Sequence, residues 1–320
     1  MGSIKDFKLD LSQLAFRGRD LVRPECVLAE PDGTLWASDN RGVATRIDPD
    51  GTETRLGPEV GEPNGMAFDA NGDLIVATMT GGKVYRMRRD GHVDVLLDSI
   101  DGAPLGAVNF CFHDAKGRLW ISVSTRRTPW FDAVVEQATD GYILLLDGRG
   151  PRIVASGISA CNEVRLDATG DFLYAAETLR SRILRFRVRP DGSLGEREVY
   201  GPDGLGPGAY VDGFTFDAEG NVWVVTVCRN GLMIITPNGS AHTVFEDPNE
   251  ERLATLEKKM ASHTVEPMDL GLCAGKTLQL PTSLTFAGPD LRTCYMGSLA
   301  MPKLITFRSP IPGLPMSHWR

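Results

Sequence analysis

Six polar residues, Glu25, Asn64, Asn109, Asn162, Asp212 and Thr282, each open a copy of one repeated phrase. Each leads into an apolar run, so these are not ordinary surface positions. Two carboxylates, three amides and a hydroxyl form an oxygen-only donor set, of the kind that suits hard cations. The carboxylates are also the groups able to take a proton from water near neutral pH. That chemistry requires the six openers to meet, which the chain between them must bring about.

The first copy runs Glu25-Cys-Val-Leu-Ala-Glu-Pro-Asp-Gly33-Thr-Leu-Trp36 and the second Asn64-Gly-Met-Ala-Phe-Asp-Ala-Asn-Gly72-Asp-Leu-Ile75. In five copies a glycine follows the opener by 8 residues, at Gly33, Gly72, Gly117, Gly170 and Gly220. An acidic residue follows it by 5, at Glu30, Asp69, Asp114, Asp167 and Asp217. A looser sixth copy begins at Thr282. An apolar run, a turn with an acid and a glycine, and a second apolar run make a hairpin signature. Hairpins recurring at intervals of 39 to 70 residues predict an all-β, six-bladed β-propeller. Each blade's first strand lies beside the central channel, so equivalent positions form a ring around the axis. Two carboxylates about 5 Å apart in such a ring repel by roughly 3 kcal/mol at an effective dielectric near 20. A cation turns that repulsion into attraction. A water-filled channel that solvates the polar ends is the other reading of the same residues.

These segments resemble the SMP-30/gluconolactonase/LRE family of six-bladed propellers. The resemblance rests on Pro24-Glu25 before Asp32-Gly-Thr-Leu-Trp36, on Asn109 before Asp114-Ala-Lys-Gly117-Arg-Leu-Trp120, and on Asn162 before Asp167-Ala-Thr-Gly170. It extends to Asp212-Gly213-Phe-Thr-Phe-Asp-Ala-Glu-Gly220-Asn-Val-Trp223 and to the closing Thr282-Ser283-Leu-Thr-Phe segment. It covers roughly residues 20 to 310. It implies one divalent cation, Ca2+ first, with Mg2+, Mn2+, Zn2+ and Fe2+ compatible, held by Glu25, Asn162 and Asp212. Asn109 at the same ring is implied to contact metal or substrate. It also implies hydrolysis of a lactone or ester, with Asp212 as the base that activates water; Glu177 and Glu163 are local alternatives for that role.

The departures from the family pattern bear on the substrate. Sugar lactonases usually carry an Arg two residues before the Asn at position 109, and this chain has Ala107. Phe110 stands where an acidic residue usually follows that Asn, and Glu163 follows Asn162 where Gly is usual. With Trp130, Phe131 and Tyr210 as further candidates, these residues predict a pocket more apolar than a polyhydroxylated lactone requires. A lyase, hydratase or isomerase using the same ion, and a non-catalytic binding propeller, are the competing readings.

At 320 residues one propeller occupies the whole chain, with an N-terminal segment expected to close the last blade through Phe7–Leu14. The interval between the fifth and sixth copies is the longest, and residues 247–262 predict a helix beginning at Pro248 with an apolar stripe of Leu253, Leu256 and Met260. That helix is either packed on the flank or a lid or oligomer contact near the mouth. A formal net charge of -8 and a pI near 5.2 exclude nucleic acid and anionic membrane as main partners. A small-molecule substrate is expected, with the oligomeric state open. The six cysteines form no C-x-x-C pair, and no Cys/His spacing suggests zinc, so they read as reduced core residues. There is no G-x-S-x-G, H-E-x-x-H or Walker loop. Met1-Gly2-Ser3 is followed by Asp6, which breaks the acylation pattern, and no leader or apolar span is seen, so a cytoplasmic location is expected.

Overall fold

The computed structural model describes residues 4–319. Six four-stranded antiparallel sheets are arranged as the blades of a β-propeller, the architecture the repeat predicts. The innermost strands are Val27–Ala29, Pro63–Phe68, Ala107–His113, Cys161–Leu166, Val211–Phe216 and Pro281–Ala287. Each pairs with the next strand in sequence and so steps outward through its blade.

The repeated phrase is explained by its turns. Asp114 accepts from the backbone N–H of Lys116 and Arg118 and from Trp120 Nε1, at 2.9, 3.0 and 3.0 Å. Asp217 does the same for Glu219, Asn221 and Trp223, at 2.9, 3.0 and 2.9 Å. The acid therefore folds its own turn and anchors the indole of the next strand. The glycine three residues later holds a left-handed φ, 73° at Gly117 and 79° at Gly220, which a side chain would strain. Trp36, Trp120 and Trp223 are then buried between blades.

The ring closes by a strand from the N-terminal segment, but not the one expected. Ala15–Arg17 pairs with Leu304–Thr306 as the outermost strand of the sixth blade. Phe7–Leu14 instead lies across blades five and six: Phe7 packs on Trp223, and Leu9 N–H donates to the Val244 carbonyl. Phe7, Leu9 and Leu11 alternate with Lys8 and Asp10 as in a strand, but their apolar side chains pack on the cluster shared by blades five and six rather than pairing with an edge. Blade six also grips blade one at the axis, where Thr282 Oγ1 donates to the Glu25 carbonyl and Val27 N–H donates to Ser283 Oγ.

The inserted segment holds helix α2 (Glu250–Ala261), with α1 (Asp132–Glu136) before it in the chain and α3 (Pro267–Gly271) after it. Asn249, not Pro248, caps α2: its side chain accepts from Arg252 N–H at 3.3 Å. Leu253, Leu256 and Met260 are buried. At the opposite end of the axis the C-terminal tail crosses the ends of the inner strands. Leu314 N–H donates to the Phe216 carbonyl, Ser317 Oγ to that of His113 and Trp319 Nε1 to that of Ala29. No helix among the described residues is long and apolar enough to cross a membrane.

Candidate functional site at the propeller axis

Five of the six openers meet. Glu25, Asn64, Asn109, Asn162 and Asp212 line one cavity of about 130 Å³ at the axis. A break in the ladder puts four of them there, while Glu25 lies just before its strand. Regular pairing with the second strand is interrupted between Pro63 and Met66, Val108 and Phe110, Cys161 and Val164, and Val211 and Phe214. Each interruption spans the opener. Such bulges release a residue from the pleat and re-aim its side chain. Thr282 occupies the same kind of break in blade six, but its hydroxyl is committed to the Glu25 carbonyl and it does not line the cavity.

The carboxylates are under electrostatic load. Burial, and then the charge of Asp212, hold the Glu25 carboxyl well above the usual carboxylate range. Burial pushes Asp212 up to about 6, against the opposing effects of Arg23 and of a hydrogen bond from Asn162. Two oxygens in the ring, Glu25 Oε2 and Asn109 Oδ1, are buried without a hydrogen-bond partner. Both are acceptors, and an unpaired buried acceptor costs about 1–3 kcal/mol. Among the described residues no three His, Cys, Asp or Glu side chains form a metal-holding group; here the carboxylates are two and the remaining oxygens belong to amides. Two strained carboxylates beside orphaned acceptor oxygens fit a hard cation better than a shell of donors would. Asn162 faces its own backbone, its Oδ1 accepting from Glu163 N–H at 2.8 Å, so its amide would have to turn to serve as a ligand.

The walls above the ring are apolar. Met79, Trp130, Ala133, Val134, Leu179 and Val227 contribute, and Met260 of α2 and Leu270 of α3 close the mouth. The insertion therefore forms a wall of the cavity, held by Tyr210 Oη, which donates to Glu257 Oε1 at 2.7 Å. Gln137 Nε2, just after α1, donates to the Met260 carbonyl at 2.7 Å.

Three residues expected as substrate contacts do not line this cavity. Phe110 is buried in the core against Gly65, where an added Cβ would come within 2.3 Å of the ring, and the Arg165 guanidinium lies over the Phe110 ring, 5.3 Å from its centroid. Ala107 lines an adjoining depression with Gly82 and Arg127, divided from the cavity by Met79 and Trp130, which line both. Glu177 faces another depression, accepting from Ser159 N–H and Arg182 Nε at 2.9 and 2.7 Å. The alternative base Glu163 also sits outside the cavity, paired with Arg165, and burial pushes its carboxyl up to about 7. Its Oε2 lies where a Cβ on Gly213 would meet it at 2.4 Å. Tyr210 and Trp130 do line the cavity, and Phe131 is buried in the cluster beside it.

Sequence reasoning missed Arg23, which lines the cavity from a left-handed backbone at φ 55°. The available signal was its position two residues before an opener, in blade one rather than blade three.

A model of the SMP-30/Gluconolactonase/LRE-like region matches residues 23–256. The 6-deoxy-6-sulfogluconolactonase of Pseudomonas putida is 23% identical over 270 residues, 82% of this chain and 78% of that protein. A gluconolactonase structure from Xanthomonas campestris aligns with a TM-score of 0.69 at 18% identity, over 94% of this chain and 89% of that one. A calcium-binding regucalcin from Agrobacterium tumefaciens aligns at 0.70 with 16% identity, over 95% and 98%. With the family model spanning most of the propeller and the openers gathered at its axis, the chain belongs to the SMP-30/gluconolactonase/LRE-like family.

Proposed function

We propose that the protein is a divalent-cation-dependent hydrolase of a lactone or ester less polar than a sugar lactone. The observation that carries this reading is the cavity itself, with carboxylates and amides from five blades beneath walls of Met79, Trp130, Val134, Leu179 and Met260. Glu25, Asn109, Asn162 and Asp212 would hold the cation, with Ca2+ the first choice for an oxygen-only set and for a fold shared with a calcium-binding regucalcin. When bound, the ion supplies Lewis acidity toward a carbonyl oxygen. Asp212 is the ring carboxylate that would accept a proton from an attacking water. Asn64 keeps Glu25 oriented, its Nδ2 donating to Oε1 at 3.0 Å.

The gluconolactonase and sulfogluconolactonase relatives support a lactone as the reacting group. The apolar walls support a less hydroxylated body, because each buried hydroxyl left unpaired costs about 1–3 kcal/mol. This preference comes from Met79, Trp130, Leu179 and Met260, not from Ala107 and Phe110, which lie outside the cavity. The test is kcat/KM for glucono-1,5-lactone against an alkyl γ-lactone, with Ca2+ saturating and again with EDTA. The alkyl lactone is expected to be the better substrate and EDTA to abolish both activities. A tenfold advantage for gluconolactone overturns the substrate reading, and full activity in EDTA overturns the cation.

A further inference from the structure

Among the described residues Arg23 is the one arginine that lines the axial cavity. Its guanidinium hydrogen-bonds to two neutral oxygens, Nη1 to the Pro63 carbonyl at 3.2 Å and Nη2 to Asn64 Oδ1 at 2.8 Å. Among the described residues it makes no direct ion pair, unlike Arg118, Arg165 and Arg182, although its charge acts on the nearby Glu25 and Asp212. Of five guanidinium N–H donors, two are used in this way. The remaining donors belong to a side chain on the wall of a cavity otherwise lined mainly by apolar groups. The backbone places it there, because Glu25 N–H donates to the Arg23 carbonyl at 2.7 Å across a tight turn with Arg23 at φ 55°. Asn64 then couples it to the ring, since the same amide accepts from Arg23 and donates to Glu25.

A guanidinium held by neutral acceptors keeps its full charge and a planar edge of donors, the arrangement that receives a carboxylate through two parallel hydrogen bonds. The charges that Arg23 faces are those of Glu25 and Asp212, and a cation held by those two carboxylates would leave the guanidinium to an anionic ligand. Cavity size limits the rest of the ligand: about 130 Å³ compares with an engineered cavity of about 150 Å³ that takes a benzene ring.

We propose that Arg23 is the specificity-determining residue of this cavity, receiving a carboxylate borne on a ring-sized apolar body. The hydrolase reading supplies the identification of that ligand as a small anionic lactone or ester; the anion subsite stands on Arg23 alone.

Benzoate and its neutral isostere benzamide are the probes, titrated calorimetrically into the Ca2+-loaded full chain. Benzoate is expected to bind at least tenfold tighter than benzamide. Arg23→Gln, which keeps a donor for Asn64 but not the charge, is expected to bind the two equally, and Arg23→Lys to retain at least a threefold preference. No preference in the wild type overturns the proposal without any variant. A tenfold preference surviving in Arg23→Gln overturns it too, because the carboxylate is then received elsewhere. If Arg23→Gln does not fold, loss of the preference in folded Arg23→Lys overturns it. In a parallel arm, a γ-lactone with a ring carboxylate is compared with the unsubstituted ring. Failure to hydrolyse either, with the benzoate preference intact, removes the hydrolase reading and leaves the anion site in place.

Discussion

Asn64 holds Glu25: its Nδ2 donates to Oε1 at 3.0 Å, and the opposite oxygen, Oε2, is left buried with no partner. The same nitrogen also donates to the Asn109 carbonyl at 3.0 Å, so one amide ties three blades at the axis. Asn64 is thus a positioning residue, and Glu25 is presented with one oxygen committed and one available.

Asn64→Ala should weaken the response to cations while leaving the propeller folded. Removing a donor from a buried charged acceptor costs about 1–3 kcal/mol, and the freed carboxylate loses its orientation. In a thermal-shift titration with CaCl2 the midpoint concentration is expected to rise at least tenfold. An unchanged midpoint would show that Glu25 is oriented by something else.

Removing the cation should expose the cost of burying a charged Asp212. Asp212 is pushed up to about 6 from an ordinary 3.8, mainly by burial. Across that window the folded state binds more protons than the unfolded one, so its contribution to stability is greatest below pH 4 and is lost as pH rises through 6. The loss is on the order of 2–3 kcal/mol. Partly buried histidines with lowered pKa values, His113, His242 and His318, act in the opposite direction, so the comparison is with Asp212→Asn. In EDTA at pH 7.5 the variant should be the more stable, with the difference gone near pH 4. It should also lose turnover and the Ca2+ response. A wild type more stable than the variant in EDTA at pH 7.5 contradicts the electrostatic account.

Tyr210→Phe should loosen the cover of the cavity. The mutation deletes the 2.7 Å bond to Glu257, which also accepts from Gly208 N–H at 3.0 Å. A hydrogen bond to a charged group contributes about 1.5–3 kcal/mol, all of it here between blade five and α2. Amide exchange in residues 250–261 is expected to quicken at least tenfold, and the ratio of kcat/KM for a long to a short alkyl ester to rise. Exchange as slow as in the wild type would show that the insertion is held by its apolar stripe alone.

Deleting residues 314–320 should destabilise the propeller without altering the cavity lining. The tail makes hydrogen bonds to Phe216, His113 and Ala29 and packs Met316 on the core. At about 1 kcal/mol per bond, with the apolar burial of Met316 added, a loss of about 3–5 kcal/mol is expected by denaturant unfolding. A loss below 1 kcal/mol would mean that the six-blade closure does not depend on this clasp.

The sequence by itself determined the repeat, and with it the six blades, because turn chemistry is local. An acid that binds the N–H groups two and four residues ahead, and a glycine at positive φ, act within one hairpin whatever surrounds it. It also determined which residues open the inner strands, and so placed Glu25, Asn109, Asn162 and Asp212 at equivalent positions. It did not determine where the neighbours of those openers point, because the ladder breaks at the openers themselves. Phe110 and Glu163 follow ring residues but fill space beside Gly65 and Gly213 of neighbouring blades, a match of large to small across chain segments far apart in sequence. Thr282 was diverted from the ring by its bond to the Glu25 carbonyl, a contact that exists only once blade six meets blade one. Arg23 came to the cavity through a single left-handed residue, and the apolar walls came from loops and helices of different blades. Side-chain direction at bulges and packing between distant segments are tertiary properties, and they decided what surrounds the ring.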